Sequence, residues 1–338
     1  MITIALNGFG RIGRTFLRTI VLNPTARKHI KIAAINIGPA KMEYVAHMFK
    51  YDTIMGTFPG TAIMKKNKLI INDAITIDII AQLDPAKINW HHYKVDWVID
   101  ATGHFTTKEK ALSHIKSGAR HVLITAPATG EDASIIPGIN MDSFNPQKDK
   151  IVSLGSCTTN AFMTMLKVLD DVFDIQEGFM TTLHAYTNSQ VLLDVEGEDL
   201  RRSRAATLNI IPTTTGASKM VGKIMPTLKG KIHAIAIRVP VGIVSLIDLT
   251  FTTAKKLSVD SINKAFMNAS KKSMKHLMDF TMEPLVSSDF AQNPFSVTID
   301  GQLTSVQGSM GKAFGWYDNE WGYSMRLVDF LIYVDQAR

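Results

Sequence analysis

The chain of 338 residues holds one cysteine, Cys157, between Ser156 and Thr158-Thr159-Asn160. A thiolate attacks carbonyl carbon and a thiol does not, so the placement of that sulfur decides its use. From Phe162, the apolar residues Met165, Leu166, Leu169, Val172 and Phe173 follow at offsets of 3, 4, 7, 10 and 11, the stripe of one helix face. Thr158, Thr159 or Asn160 can cap the first turn of that helix. The sulfur then sits at a helix N-terminus, where the dipole and free N–H groups stabilise a thiolate and lower its pKa. A buried structural cysteine fits this stretch equally well. A nucleophilic thiolate works beside a base. Among ten histidines, His184 stands at the end of a β-prone run, before the polar turn Ala185-Tyr186-Thr187-Asn188 and 27 residues beyond the cysteine. The intervening helix and strand can return the ring to the sulfur, although a histidine at a strand end is more often structural.

A second chemistry is written at the start. Gly8, Gly10 and Gly13 fit G-x-G-x-x-G and lie between the β-prone run 2–6 and a helical stretch with Ile12, Phe16 and Ile20 on one face. In that setting the first glycine permits a tight turn, the second lets a pyrophosphate approach the backbone, and the third lets helix pack on strand. The helix N-terminus then offers N–H groups to the phosphates. A plain glycine-rich turn is the alternative. The acid that normally holds the ribose about 20 residues further on is missing: no Asp or Glu precedes Glu43, and the second apolar run ends in Asn36-Ile37-Gly38. The choice between NAD and NADP is therefore open, and Lys41 could welcome a 2′-phosphate.

The elements that must position these residues alternate. Residues 30–35 close a strand–helix–strand unit. Residues 95–101 form a buried-strand candidate ending in Thr102-Gly103, residues 108–116 a helix, and residues 122–125 a strand broken by Ala126-Pro127. Ligands of open α/β sheets sit at the carboxyl ends of the strands, which places Thr102, Gly103 and Thr125 against the same cofactor. Residues 62–80 read as antiparallel strands joined by a Lys-Asn-Lys turn.

Composition bounds the rest. The length predicts two domains, and 46% hydrophobic with 20% charged residues is a globular composition. No apolar run approaches the roughly 18 to 20 residues that cross a bilayer, and the first residues lack the pattern of a signal peptide. A single cysteine forbids an internal disulfide and suits a reducing compartment, so the expectation is cytoplasmic. The net charge of +7 favours anionic partners. Arg201-Arg202-Ser203-Arg204 is the longest basic cluster, but no zinc spacing, stacking-aromatic signature or basic tail accompanies it, and nucleic acid is not expected.

Taken together these stretches resemble the phosphorylating glyceraldehyde-3-phosphate dehydrogenase family. The resemblance is carried by NGFGRIGR (7–14), KYDT (50–53), ATGHF (101–105), APATGED (126–132), SCTTN (156–160), HAYTN (184–188), LRRSRAA (200–206), NIIPTTTGASK (209–219), RVP (238–240) and WYDNEWGYS (316–324). It implies an α/β fold: a Rossmann domain over 1–155 with the C-terminal helix of 319–338, and an α+β catalytic domain over 156–318 with a mostly antiparallel sheet. It implies that Cys157 attacks the aldehyde of glyceraldehyde 3-phosphate, that His184 acts as base, and that inorganic phosphate cleaves the resulting thioester. Thr187 and Arg238 would line the pocket for the substrate phosphate. Ser156, Thr158, Thr215 and Gly216 would line the pocket for the attacking one. Asn7, Gly8, Gly10, Arg11, Ile12 and Asn36 would hold the cofactor with Thr102, Gly103 and Thr125, while Asn319 would hold the nicotinamide carboxamide with Tyr323 nearby. The loop 191–207 would pack on a neighbouring subunit in a homotetramer, giving Arg201, Arg202 and Arg204 an interface role.

Six residues at four places depart from the family pattern. Ile37 stands where NAD-dependent members carry Asp, and Val195-Glu196 where they often carry Leu-Pro. Ala161 replaces a frequent second cysteine, and Leu154-Gly155 a common Asn-Ala. The expected cofactor is NAD with NADP tolerated. Two alternatives are an erythrose-4-phosphate dehydrogenase, which shares nucleophile, base and fold, and a non-catalytic basic binding protein on the same fold. Tyr186 and Tyr317 favour the triose enzyme over the first, and the intact Cys157 and His184 argue against the second.

Overall fold

A computed structural model describes residues 1–338. The chain forms two compact units: Met1–Pro137, Met141–Gly155 and Ser324–Arg338 make the first, Gly138–Asn140 and Ser156–Tyr323 the second.

The first unit is built on a nine-stranded sheet. Its strands are β1 (Ile2–Asn7), β2 (Ile30–Asn36), β3 (Ala62–Lys65), β4 (Lys68–Ile71), β5 (Ile75–Ile80), β6 (Trp97–Asp100), β7 (His121–Ile124), β8 (Ala133–Ser134) and β9 (Ile151–Ser153). They lie in the order β3-β4-β5-β2-β1-β6-β7-β9-β8, and every pair from β5 to β8 is parallel. The order reverses between β1 and β6, so the glycine loop after β1 stands where a doubly wound sheet binds its ligand. All four residues of β6 are buried, as expected for a strand covered on both faces. The 62–80 segment differs in part from its sequence reading: β3 and β4 do pair antiparallel, but β5 joins β2 in parallel as well as β4 in antiparallel sense. The final helix, Trp321–Gln336, supplies Phe330, whose ring meets Trp97 edge-on at 5.5 Å.

The second unit holds a seven-stranded sheet in the order β11-β12-β10-β13-β16-β15-β14. These are β10 (Ile175–Ala185), β11 (Ile211–Thr213), β12 (Ile232–Val239), β13 (Ser245–Thr253), β14 (Met278–Thr281), β15 (Val297–Gln307) and β16 (Met310–Tyr317). Pairing is mostly antiparallel, with β10/β12 and β14/β15 parallel. Strand β13 alternates in burial, turning Ile247, Leu249 and Phe251 inward. The helix Cys157–Phe173 covers the sheet with Phe162, Met165, Leu166 and Leu169, all fully buried. Each such side chain contributes about 1.5–3 kcal/mol by leaving water. Val172, expected on that face, is 42% exposed, so the stripe is narrower than the sequence suggested.

Candidate active site

The catalytic-type residues are brought together by one helix start and two neighbouring strands. Ser156 caps the helix: its side chain accepts the Thr159 N–H at 3.1 Å. This corrects the sequence reading, which placed the cap on Thr158, Thr159 or Asn160; an N-cap hydroxyl must precede the first helical residue to meet the N–H at N3. Cys157 is therefore that first residue. His184 is the last residue but one of strand β10, and the parallel register with β12 pairs it with Arg238. The result is a sulfur–imidazole pair, Cys157 Sγ to His184 Nε2 at 3.5 Å.

The other ring nitrogen has two competing partners. His184 Nδ1 lies 2.7 Å from the Ala185 carbonyl oxygen and 2.6 Å from Arg238 Nη1. A protonated Nδ1 donates to the carbonyl and leaves Nε2 as an acceptor facing the sulfur. An unprotonated Nδ1 accepts from the guanidinium and puts the proton on Nε2. The site thus offers a base and a hydrogen-bond donor from the same ring, selected by which neighbour Nδ1 serves. Arg238 Nη1 also donates to the Ala185 carbonyl at 3.0 Å, so the guanidinium can yield Nδ1 without losing a partner.

Burial, and after it the charge of Arg238, holds the His184 pKa down to about 3, so the resting ring is neutral. For the sulfur the structure corrects the sequence expectation of a lowered pKa. Burial pushes the Cys157 thiol up, and this outweighs Arg238 and the hydrogen bonds at Thr158 that oppose it. The residue keeps part of its surface accessible. The resting pair is a thiol beside a neutral imidazole, and the proton must move when the nucleophile is used.

A chain of hydroxyls missed by the sequence reading underlies the pair. Tyr317 OH lies 2.9 Å from Thr158 Oγ1 and 2.7 Å from Thr182 Oγ1. Its ring meets His184 edge-on at 6.0 Å. Ser245 Oγ accepts the Ala185 N–H at 3.1 Å and donates to Asn319 Oδ1 at 3.2 Å. The only advance signal was the inward period of β13 and β16, which puts Ser245 and Tyr317 opposite each other.

The remaining expected residues fall as follows. Thr158 is buried with its hydroxyl turned to Tyr317, and the Ser156 hydroxyl is engaged with Thr159. Thr187 Oγ1 lies 3.0 Å from Ser189 Oγ. Gly216 is the N-cap of the helix Ala217–Ile224, and Thr215 Oγ1 accepts the Ala217 N–H at 3.3 Å. Asn319 and Tyr323 are buried in the second unit, and burial pushes the Tyr323 hydroxyl pKa up.

In the first unit, Gly8 has φ +98°, and a Cβ there would come within 2.9 Å of Ala101 and Thr102. A Cβ on Gly13 would meet the Gly8 oxygen at 2.3 Å, while one on Gly10 would project into open space. Gly8 and Gly13 are thus needed for the turn and the packing, and Gly10 leaves a face clear for a pyrophosphate. The residues present fit a dinucleotide. Arg11 and Ile12 open the helix Arg11–Leu22, with Arg11 Nη1 2.5 Å from Asp52 Oδ2. Thr125 follows β7 and donates its N–H to the Asp100 oxygen at 3.0 Å; Gly103 has φ +74°.

Asn7, Asn36 and Thr102 are joined through a residue that the sequence reading passed over, Asp100. Its Oδ1 accepts the Thr102 N–H at 3.1 Å and hydroxyl at 2.7 Å; its Oδ2 accepts Asn7 Nδ2 at 2.8 Å and faces His114 Nε2 at 3.1 Å. Trp90 Nε1 donates to His114 Nδ1 at 3.3 Å, and Asn36 Nδ2 donates to Asn7 Oδ1 at 2.7 Å. These side chains brace the glycine loop from beneath.

Comparison with known proteins agrees with this site. Residues 156–319 match the model of the glyceraldehyde 3-phosphate dehydrogenase C-terminal domain, and residues 2–108 that of its NAD binding domain. The chain belongs to the glyceraldehyde-3-phosphate dehydrogenase family. It is 44% identical over 334 residues to glyceraldehyde-3-phosphate dehydrogenase 2 of Bacillus subtilis, covering 98% of this chain and 96% of that protein. It is 44% identical over 336 residues to glyceraldehyde-3-phosphate dehydrogenase of Streptomyces coelicolor, with 98% of each covered, and 41% identical over 335 residues to glyceraldehyde-3-phosphate dehydrogenase 1 of Bacillus subtilis, again with 98% of each covered. Membership makes the chain an NAD(P)-dependent oxidoreductase with the Rossmann and α+β pair of domains. No helix is long and apolar enough to cross a membrane.

Proposed function

We propose that the chain oxidises glyceraldehyde 3-phosphate through a thioester on Cys157 and releases an acyl phosphate. The observation that carries this is the sulfur of Cys157 at a helix start, 3.5 Å from a neutral imidazole. His184, with Nδ1–H on the Ala185 carbonyl, takes the thiol proton at Nε2 as the sulfur adds to the aldehyde carbon. Nε2–H then passes that proton to the adduct oxygen, giving the hemithioacetal hydroxyl and a neutral ring again, with the Cys157 backbone N–H as a hydrogen-bond donor to the same oxygen. When bound, the nicotinamide supplies the hydride acceptor for this oxidation. His184 removes the hydroxyl proton as the thioester forms, and the thioester retains enough energy for inorganic phosphate to cleave it. Arg238 and Thr187 take the substrate's phosphate, and Ser156, Thr158, Thr215 and Gly216 the attacking one. For Ser156 and Thr158 this role falls to backbone N–H groups and the remaining hydroxyl capacity, since both hydroxyls already have partners. On the first unit, Gly8, Gly10, Arg11 and Ile12 seat the pyrophosphate, while Asn7, Asn36 and Thr102 act by bracing the loop.

The test is reduced-cofactor formation from glyceraldehyde 3-phosphate with and without inorganic phosphate, set beside erythrose 4-phosphate. Phosphate-dependent turnover that prefers the triose is expected; phosphate-independent turnover preferring the tetrose would assign the chain to erythrose-4-phosphate oxidation. The assembly we infer is a homotetramer. Leu192, Leu193, Leu200, Leu208 and Ile210 are all strongly exposed, Leu200 at 87%, and such side chains ask for a covering surface. Light scattering after size exclusion tests this, and a monomer at micromolar concentration contradicts it. A cytoplasmic location fits a reactive thiol with no disulfide partner.

A further inference from the structure

In dinucleotide folds an acid at the end of the second strand accepts the ribose 2′-hydroxyl and repels a phosphate placed there. Here β2 ends at Asn36, whose side chain is fully committed: Nδ2 donates to Asn7 Oδ1 and the Gln82 oxygen, and Oδ1 accepts the Gly38 and Gln82 N–H groups. Ile37 follows with its side chain 6% exposed and its N–H bonded to the Ile80 oxygen at 2.8 Å. No carboxylate is available at this strand end. Beside it lies a hollow of about 260 Å³, lined among others by Phe9, Gly10, Arg14, Ile37, Lys41 and Tyr44. Its two charged lining residues, Arg14 and Lys41, are both cations. Arg14 is anchored to the glycine loop by Nη1 donating to the Phe9 oxygen at 3.0 Å, and Lys41 is exposed.

We propose that this hollow is a site for a ribose 2′-phosphate, with Lys41 and Arg14 as its cations, so that the chain uses NADP at least as well as NAD. The inference rests on the dinucleotide seat assigned to the glycine loop above and adds the end that discriminates. A phosphate monoester needs charged donors and tolerates no adjacent carboxylate. The hollow meets both conditions, and Gly10, at its rim, leaves the loop face clear.

The experiment uses the full-length protein with glyceraldehyde 3-phosphate and inorganic phosphate, and compares initial rates over ranges of NAD and NADP. Expected is a kcat/KM for NADP equal to or above that for NAD, with adenosine 2′,5′-bisphosphate competing against cofactor about tenfold more tightly than 5′-AMP, the scale of one charge-assisted contact. Lys41→Ala should lower the NADP-to-NAD efficiency ratio about tenfold, and Ile37→Asp should lower it about a hundredfold by adding repulsion to lost attraction. The proposal is overturned by a native ratio below about one-tenth with no advantage for the bisphosphate, or by a Lys41→Ala ratio within about twofold of the parent. NAD-dependent turnover in those cases leaves the dehydrogenase assignment standing, whereas absence of turnover with both cofactors strikes the assignment itself.

Discussion

His114 and His184 are both buried beside a group that can exchange a proton, and they differ in what their nitrogens meet. His114, in the first unit, has a single donor on Nδ1, while its Nε2 faces Asp100 Oδ2 at 3.1 Å with Asn7 Nδ2 further off at 3.5 Å. Trp90 Nε1–H can only donate, so Nδ1 accepts, and the ring proton lies on Nε2 toward Asp100. Because Trp90 fixes Nδ1 as the acceptor, the neutral ring has one tautomer. His184, in the second unit, has two partners for Nδ1 and a thiol for Nε2. Its tautomer is not fixed, and the choice changes what it does to the sulfur. A satisfied network holds a backbone in place; an over-subscribed one can move a proton.

The sharpest way to break that contrast is at the sulfur. Cys157→Ala is expected to lower turnover by about 10⁴-fold or more, because the covalent route is lost outright. Melting temperature and dinucleotide binding by fluorescence should stay close to the parent. A variant that still forms reduced cofactor at a parental rate would remove Cys157 from the chemistry.

The next effect is at His184. His184→Asn should reduce kcat by about 10²–10⁴-fold, the usual contribution of a positioned acid–base group. It should also change the pH dependence of stability. The folded ring has a pKa of about 3 against 6.5 when free, so between these values the unfolded chain takes up a proton that the folded one refuses. The stability this ring gives is complete above pH 6.5 and falls as pH drops toward 3, by up to about 1.4 kcal/mol per pH unit. Asp318 runs the other way. Burial pushes its carboxyl up to about 6, so it adds stability as pH falls from 6 toward 3.8. The prediction therefore concerns the difference between variant and parent: His184→Asn should lose less stability between pH 6.5 and 4.5, by denaturant unfolding. Equal slopes would show that the folded ring titrates normally.

His114→Phe should do the opposite of His184→Asn: little to kcat, much to stability. It leaves the Trp90 N–H without a partner inside the core and takes one of two donors from Asp100 Oδ2, which keeps Asn7 Nδ2, at a cost of about 1–3 kcal/mol. The cofactor KM should rise with it, since Asp100 also holds Thr102 and Asn7. His114→Gln, which keeps an N–H in reach of Asp100, should recover part of both. A tenfold fall in kcat with unchanged stability would mean that this imidazole is not structural.

The sequence made the two ends of this comparison unequally legible. Residues 2–13 exposed the glycine loop because glycine and strand periodicity are local signals. The Cys157 helix was legible from its apolar stripe, and the strand end at His184 from its polar turn. What stayed hidden depends on register. Asp100 lies two residues before Thr102 and looked like the end of a strand; only the neighbouring β1 and the helix Lys108–Lys116 reveal it as the hub for Asn7 and His114. Tyr317 comes to Thr158 from 159 positions away. The direction of the Cys157 pKa was misjudged because a helix N-terminus is visible in sequence and burial of the thiol is not.

Tyr317 offers the smallest and most discriminating effect. Its hydroxyl bridges Thr158, adjacent to the nucleophile, and Thr182, two residues before the base, so one group ties the helix start to the strand end. Tyr317→Phe keeps the ring that faces His184 and removes only the hydroxyl, with this bridge and its contact to Ser245. Three buried hydroxyls then lose one partner each, at about 1–2 kcal/mol of stability. If the bridge does no more than stabilise, alkylation of Cys157 by iodoacetamide should keep its parental rate and pH dependence below the unfolding transition. If it holds Sγ at 3.5 Å from Nε2, the alkylation rate should fall about threefold to tenfold, the change expected for a loosened proton-transfer pair. We expect the second result, because the three residues lie in one unit, are buried, and leave the hydroxyl no alternative route into water.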